Sequence, residues 1–324
     1  MHIPDGFLDG RTAVAGGALA AAGLGVALAR VRRTLPPRRV PLIGLAAAFV
    51  FAAQLLNFPV GGGTSGHLVG ATLAAVLLGP SAAVVAMSAV LILQCLMFAD
   101  GGLTALGANV FNMAVVAPLV GAAVYAAVRA AAPRGLRGRL VAAGFAAWCS
   151  TVAAAVSCAG ELATSGTVAW RVAFPAMAGV HLVIGIGEAA ITALVVAAVA
   201  RARPELVEEP APASRGPRYA AVAAYGLLVS LGLVVFLAPF ASGAPDGLEK
   251  VAELLGFAGR EAPGAAPLAG YAVPGLGTSV SGTVVAGAIG TVVAFAASYV
   301  LARILTPRGA RQPDPEAPRA PLAA

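Results

Sequence analysis

The chain begins Met1-His2-Ile3-Pro4-Asp5-Gly6-Phe7-Leu8, and its first two residues carry donor atoms suited to metal chelation. A free α-amine, the amide nitrogen joining residues 1 and 2, and the His2 ring nitrogen nearest the backbone can close two adjacent chelate rings around one divalent ion. Three nitrogens then lie nearly in a plane, which suits Ni(II), Cu(II) or low-spin Co(II) and leaves a fourth corner for another imidazole. Histidine is scarce, at three in 324 residues, so one at position 2 needs a reason. The bulky His2 is also expected to protect Met1 from aminopeptidase removal. The bland alternative is a chance histidine in a frayed terminus.

The elements that must position such a site are set by composition. Hydrophobic residues make up 59% and charged residues 11%, with a mean hydropathy of +0.89, too little charge to cover a soluble domain of this length. The expected fold class is therefore an all-α polytopic membrane protein, and the 40 glycines fit close helix-to-helix approach in lipid. The pI near 10 comes from arginines that mark membrane orientation, not a nucleic-acid surface. Cys95, Cys149 and Cys158 lie in apolar segments without CxxC spacing and read as packing residues.

A hydrocarbon core of about 30 Å needs about 20 apolar residues per helix. Segments near 12–30, 41–58, 81–98, 108–131, 140–162, 172–200, 219–240 and 282–304 meet that measure. Breaking the run at Gly79-Pro80 adds a short ninth span at 68–79. That arrangement puts 17 of the 21 Lys and Arg residues on one face, in the stretches 30–39, 129–139, 201–218 and 303–319. Arg11, Arg171, Lys250 and Arg260 fall on the other. The positive-inside rule then predicts an external N-terminus and a cytoplasmic C-terminus. Residues 1–11 lack a basic n-region and an Ala-x-Ala site, so no cleaved signal peptide is expected to remove Met1.

This topology puts His2 on the same side as the glycine-rich loop Gly61-Gly62-Gly63-Thr64-Ser65-Gly66-His67. The short third span implies a loop that dips into the bundle, carrying His67 to membrane depth, where irregular backbone is tolerated only around an enclosed cavity. An outer-surface hinge with an incidental histidine is the alternative. Gln54 and Asn57 precede the loop, Asn109 and Asn112 share a helical face, and His181 and Glu188 stand two turns apart on the seventh span. Polar residues at membrane depth are costly and are expected to be functional. For Asn109 and Asn112, packing or support of a site is favoured over direct ligation. His181 and Glu188 read as a structural pair or a partner-coupling element, and Glu161 as a solvated cap.

The segments MHIPDGFL, NFPVGGGTSGHLVG, QCLMFADGGLTALGANVFNMAV and HLVIGIGEAAIT follow one another in order. In this they resemble the substrate-capture component of the cobalt and nickel energy-coupling-factor importers, the CbiM/NikM family. The resemblance covers residues 1 to about 200, and Cys95 departs from it where small residues are usual. Further on, APDGLEKVAELLGF, PLAGYAVPGLG and a last span are similar to the two-helix small component with its PDGLE signature. The resemblance implies a fusion: a seven-helix capture unit over 1–200, a Pro-rich cytoplasmic linker over 201–218, a two-helix domain over 219–306 and a disordered tail over 307–324. It also implies a planar metal site formed by Met1, His2 and His67, with Gln54, Asn57, Asn109, Asn112, His181 and Glu188 in supporting or coupling roles.

A short helix is expected at Leu248 to Leu255, with Asp246, Glu249 and Glu253 as its solvated start. The chain has no G-x-x-x-x-G-K-[ST] and one lysine, Lys250, so ATP hydrolysis must come from elsewhere. No H-E-x-x-H supports an intramembrane metalloenzyme. The expected function is a non-enzymatic, substrate-binding subunit of an ATP-driven importer in a prokaryotic plasma membrane. Its expected partners are a transmembrane coupling subunit, cytoplasmic ATPase subunits and membrane lipid, with no nucleic acid. No resident cofactor is expected, the cobalt or nickel ion being cargo. A secondary divalent metal/proton transporter is the alternative, although only Glu188 stands clearly among the acids such exchangers place in their spans.

Overall fold

In the computed structural model, the described residues are 1–207, 219–277 and 279–306. The linker expected over 201–218 lies outside them from residue 208 onward, as does the tail expected over 307–324.

Among the described residues, seven helical runs are long and apolar enough to cross a membrane: Gly10–Thr34, Pro80–Phe98, Leu106–Ala131, Leu136–Thr164, Trp170–Ala202, Tyr219–Phe240 and Val280–Leu305. Two further apolar helices fall short of that length. In chain order the helices are α1 (Gly10–Thr34), α2 (Val40–Gln54), α3 (Ala71–Leu78), α4 (Pro80–Leu93), α5 (Leu106–Asn109), α6 (Ala117–Ala131), α7 (Leu136–Thr164), α8 (Trp170–Ala202), α9 (Tyr219–Phe236), α10 (Gly247–Leu255) and α11 (Val280–Leu305). The short ones are α2 and α3, at 15 and 8 residues. Gly79, at φ +86°, breaks α3 from α4, and Pro80 opens the new helix with no N–H to leave unsatisfied.

The bundle is built on small residues. Ala47, Ala83, Ala86, Ala108, Ala154 and Ala155 are fully or almost fully buried, so the backbones approach closely. Helices α7 and α8 lie along one another, while α9 and α11 pack on α2, tying the C-terminal part to the N-terminal one.

Two stretches widen into π-helical turns, Gln94–Phe98 after α4 and Val110–Val116 between α5 and α6. Such turns re-aim side chains and cluster at functional sites.

The glycine-rich segment departs from the irregular loop expected for it. Strands β1 (Phe58–Gly61) and β2 (Thr64–Gly66) form an antiparallel hairpin. Its turn runs through Gly61, Gly62 and Gly63 at φ of +91°, +63° and +71°, which requires glycine at three successive positions. The expectation that this segment enters the bundle holds, because Thr64 through Val69 are all buried.

Candidate metal centre

Residues 1–3 are the reverse of a frayed terminus. Met1 is 4% exposed and Ile3 fully buried. Ile3 is pinned on both sides of its peptide: its N–H donates to Asn109 Oδ1 at 2.7 Å, and its carbonyl accepts from Asn109 Nδ2 at 3.0 Å and from the Gly102 N–H at 2.8 Å. Asp5 extends the clamp by accepting from the Leu103 and Thr104 N–H groups and the Thr104 hydroxyl. Its partial burial alone raises the carboxyl pKa, but these bonds outweigh that and hold it below the ordinary value. Asn109 therefore supports the terminus and does not point at its donors.

The Met1 nitrogen lies 3.0 Å from His67 Nε2. His67 Nδ1 donates to the Leu68 carbonyl at 3.2 Å, which leaves the lone pair on Nε2, facing the amine. Burial foremost, then the positive charge of the amine, holds the His67 pKa well below its usual value, so the ring is neutral and Nε2 keeps its lone pair.

A second chain of bonds settles the tautomer of His2. The Val69 carbonyl can only accept, so it fixes Gln54 with Nε2 toward it at 2.9 Å. Gln54 Oε1 then accepts from Gln94 Nε2 at 2.6 Å, and Gln94 Oε1 is left to accept from His2 Nε2 at 3.2 Å. His2 thus carries its proton on Nε2 and its lone pair on Nδ1, the nitrogen that chelation with the terminal amine needs. Burial pushes the His2 pKa down, against the pull of Asp100, and favours this neutral form. Nδ1 lies 3.2 Å from Asp100 Oδ1, two acceptors facing one another, an arrangement relieved by a shared proton or a cation. The rings of His2 and His67 stack with centroids 5.5 Å apart.

The residue at this centre that sequence reasoning missed is Asp246. It caps α10 as expected: Oδ1 accepts from the Leu248 and Glu249 N–H groups, and Glu249 closes a capping box. Its start is not solvated, however. Oδ2 makes an ion pair with the Met1 amine and stands 4.0 Å from His67 Nε2. Burial alone raises the Asp246 pKa, but the charge of the amine overcomes it and holds the carboxyl well below the usual range. The hairpin delivers this aspartate, since the Ser65 N–H donates to the Pro245 carbonyl at 2.8 Å and its hydroxyl to the Ala244 carbonyl at 2.7 Å. A void of about 10 Å³, room for one small ion or water, lies among Met1, His67, His181, Asp246 and Gly247. A second cavity, of about 280 Å³, lies between the two parts of the chain, lined by His2, Asp100, Asp246 and Glu261 among others. Tyr271, also from the C-terminal part, donates to Asp100 Oδ2 at 2.6 Å.

The other polar residues do different work. His181 and Glu188 do not pair with each other. Glu188, fully buried, accepts from the Val69 and Gly70 N–H groups at 2.6 and 2.9 Å, satisfying backbone that leads into α3. His181 donates from Nδ1 to the Met177 carbonyl at 2.8 Å, and its ring is so close to α10 that a Cβ at Gly247 would come within 2.9 Å of Nε2. Asn57 contributes its backbone carbonyl, which accepts from Ser242 N–H at 2.8 Å. Asn112 lies away from the nitrogen cluster and donates to Glu161 Oε2 at 2.6 Å. Glu161 is therefore no solvated cap: it closes a half-buried amide–carboxyl contact whose other oxygens, Asn112 Oδ1 and Glu161 Oε1, find no partner among the described residues. Among the described residues no group of three His, Cys, Asp or Glu side chains has metal-holding geometry, so the candidate donors depend on backbone nitrogen.

Fold and site together define a multi-pass membrane protein with a buried, nitrogen-rich centre suited to a transition-metal ion. Residues 2–206 match the CbiM family, described as a cobalt uptake substrate-specific transmembrane region, and residues 220–307 match the PDGLE domain. The chain is 39% identical to the fused nickel transport protein NikMN of Rhodobacter capsulatus, over 84% of each chain. It is 40% identical to a NikMN-type protein of Archaeoglobus fulgidus, over 94% of this chain and 98% of that one. A crystal structure of a truncated transition metal transporter superposes with a TM-score of 0.57 at 36% identity, covering 62% of this chain and 99% of that one. The chain belongs to the CbiM family, joined to a PDGLE domain, and is a cobalt/nickel transport protein, not an enzyme.

Proposed function

We propose that this chain is the substrate-binding membrane subunit of an ATP-driven energy-coupling-factor importer for cobalt or nickel. The ion is held in a plane by the Met1 amine, the His2 amide nitrogen, His2 Nδ1 and His67 Nε2. The observation that carries this reading is a lone-pair imidazole nitrogen set against the terminal amine, with the His2 ring stacked beside it. His67 Nε2 lies 3.0 Å from the Met1 nitrogen, and the glutamine relay leaves Nδ1 of His2 unprotonated. The reading requires Met1 to carry a free amine in the mature protein. Binding then exchanges one divalent ion for two protons, one from the ammonium group and one from the amide.

Residues 1–200 act as the capture unit and 219–306 as the fused small component, with the N-terminal end of the bundle outside and the C-terminus cytoplasmic. A transmembrane coupling subunit and cytoplasmic ATPases supply the energy. The exchanger alternative loses its main support because Glu188, the acid it would use, is already held by two backbone donors.

Purified protein in vesicles is expected to bind nickel or cobalt without hydrolysing ATP, and to import it only when the coupling and ATPase subunits are added. Uphill uptake driven by a proton gradient with this chain alone would overturn the reading. A cysteine at Gly63 is expected to react with an impermeant reagent from outside, and one within 201–218 only after permeabilisation. The reverse pattern would sink the assigned orientation.

A further inference from the structure

We propose that Asp246, supplied by the PDGLE part of the chain, positions the Met1 amine for metal capture and serves as the counter-ion of the loaded centre. This rests on the reading of Met1, His2 and His67 as ligands.

The two oxygens of Asp246 have separate tasks. Oδ1 is occupied by the Leu248 and Glu249 N–H groups at 2.7 and 2.9 Å, which fixes the carboxylate plane. Oδ2 is thereby aimed at the Met1 amine and holds it beside His67 Nε2, so that two of the four donors sit together before the ion arrives. The side chain is only 15% exposed, and a charge pair in such surroundings is weakly screened. Nothing in a helix cap requires the second contact, since Oδ1 alone satisfies the N–H groups.

The charge balance explains why a carboxylate suits this position. Before binding, the ammonium carries +1 and Asp246 carries −1. A dication approaching an unneutralised ammonium would be repelled, whereas it meets a neutral pair here. When the ion binds, the N–H bonds of one ammonium proton and one amide proton break, and both protons leave to solvent. The metal with its amidate, amine and two neutral imidazoles then carries +1. Asp246 therefore faces the same net charge before and after loading, and its own carboxylate is never left without an opposite charge.

The test uses the full-length protein in detergent, with nickel association followed by stopped-flow through the absorption band of planar nickel. Asp246→Asn and Asp246→Ser both retain an oxygen that can cap α10 but remove the charge, whereas Asp246→Glu keeps the charge. Loading is expected to slow on the order of tenfold in the first two, the scale of lost electrostatic steering, with band position unchanged. The Glu variant is expected to recover most of the rate. If the Asn variant does not fold, the Ser variant decides the matter. A folded Asn or Ser variant that loads at the wild-type rate, or a Glu variant as slow as both, overturns the role of Asp246. A His2→Ala protein that keeps the planar band would instead overturn the ligand reading on which the proposal rests.

Discussion

Two buried polar clusters share this bundle and invite comparison: the nitrogens around Met1, His2 and His67, and the His181–Glu188 stretch of α8. Both put ionisable groups where burial is costly, and both contain a histidine fixed through Nδ1 to a backbone carbonyl. They differ in what is left over. At the first, the hydrogen bonds leave a lone pair on His67 Nε2 beside the amine and another on His2 Nδ1. At the second, Glu188 spends both oxygens on backbone N–H groups, and the lone pair left on His181 Nε2 lies against Gly247 of α10, not against the amine. Depth in the membrane shows that a residue is needed, and what its unspent lone pair faces shows whether it can ligate.

The sharpest way to break the comparison is to add one residue before Met1. This turns the amine into an amide and moves His2 out of the chelate, so nickel affinity by titration calorimetry is expected to fall at least about a thousandfold. His2→Ala is expected to do the same. His67→Ala removes one corner of the plane, and an affinity loss of about a hundredfold is expected. Tagged protein that binds one equivalent as tightly as untagged protein would remove the first cluster from consideration.

Proton release gives the next test. Affinity is expected to drop as pH falls, because two protons must leave for each ion bound. Calorimetry in buffers of different ionisation enthalpy measures that number, and a value near zero would contradict an amine–amidate centre. Folding stability follows a separate, more acidic window. The Asp246 pKa is depressed, so the stability its contacts provide is complete above the ordinary carboxyl pKa of about 3.9 and is lost as pH falls through the folded value. Asp246→Asn is expected to flatten the acid end of the unfolding curve.

At the second cluster the expected effects move from binding to stability. Glu188→Gln makes an amide NH2 face either the Val69 or the Gly70 N–H, at a cost of about 2 kcal/mol measured by thermal unfolding. His181→Ala is expected to lower the unfolding temperature while nickel affinity changes by less than about threefold. A hundredfold loss of affinity in His181→Ala would make α8 part of the metal centre.

How far the sequence spoke follows the same line between local and distant information. The long apolar runs, the break at Gly79-Pro80 and the short helix near 248–255 were legible because each is written in consecutive residues. The hairpin at 58–66 was not, since Gly61-Gly62-Gly63 signals a turn without revealing that the flanking residues pair. The π turns at 94–98 and 110–116 carry no distinctive residue. Of the candidate residues, Met1, His2 and His67 converge, and Gln54 and Asn109 support them. Asn57 and Asn112 lie off the centre. Gln94 and Asp100, though inside one of the family-like segments, gave no sign of their partner His2. Asp246 was visible only as a helix start, and its partner is 245 positions away.

That last separation has a consequence for biosynthesis. Residue 1 is synthesised 245 residues ahead of its carboxylate partner. At about 5–20 residues per second, the terminus waits roughly 10 to 50 s for that partner to be made. Throughout this interval α1 to α8 can assemble, but the contacts of Ser65 with 244–245 and of Met1 with Asp246 cannot form. The centre is therefore completed only after the second part of the chain has been synthesised and docked, which makes a truncated translation product incomplete at residue 1 as well as at its broken end.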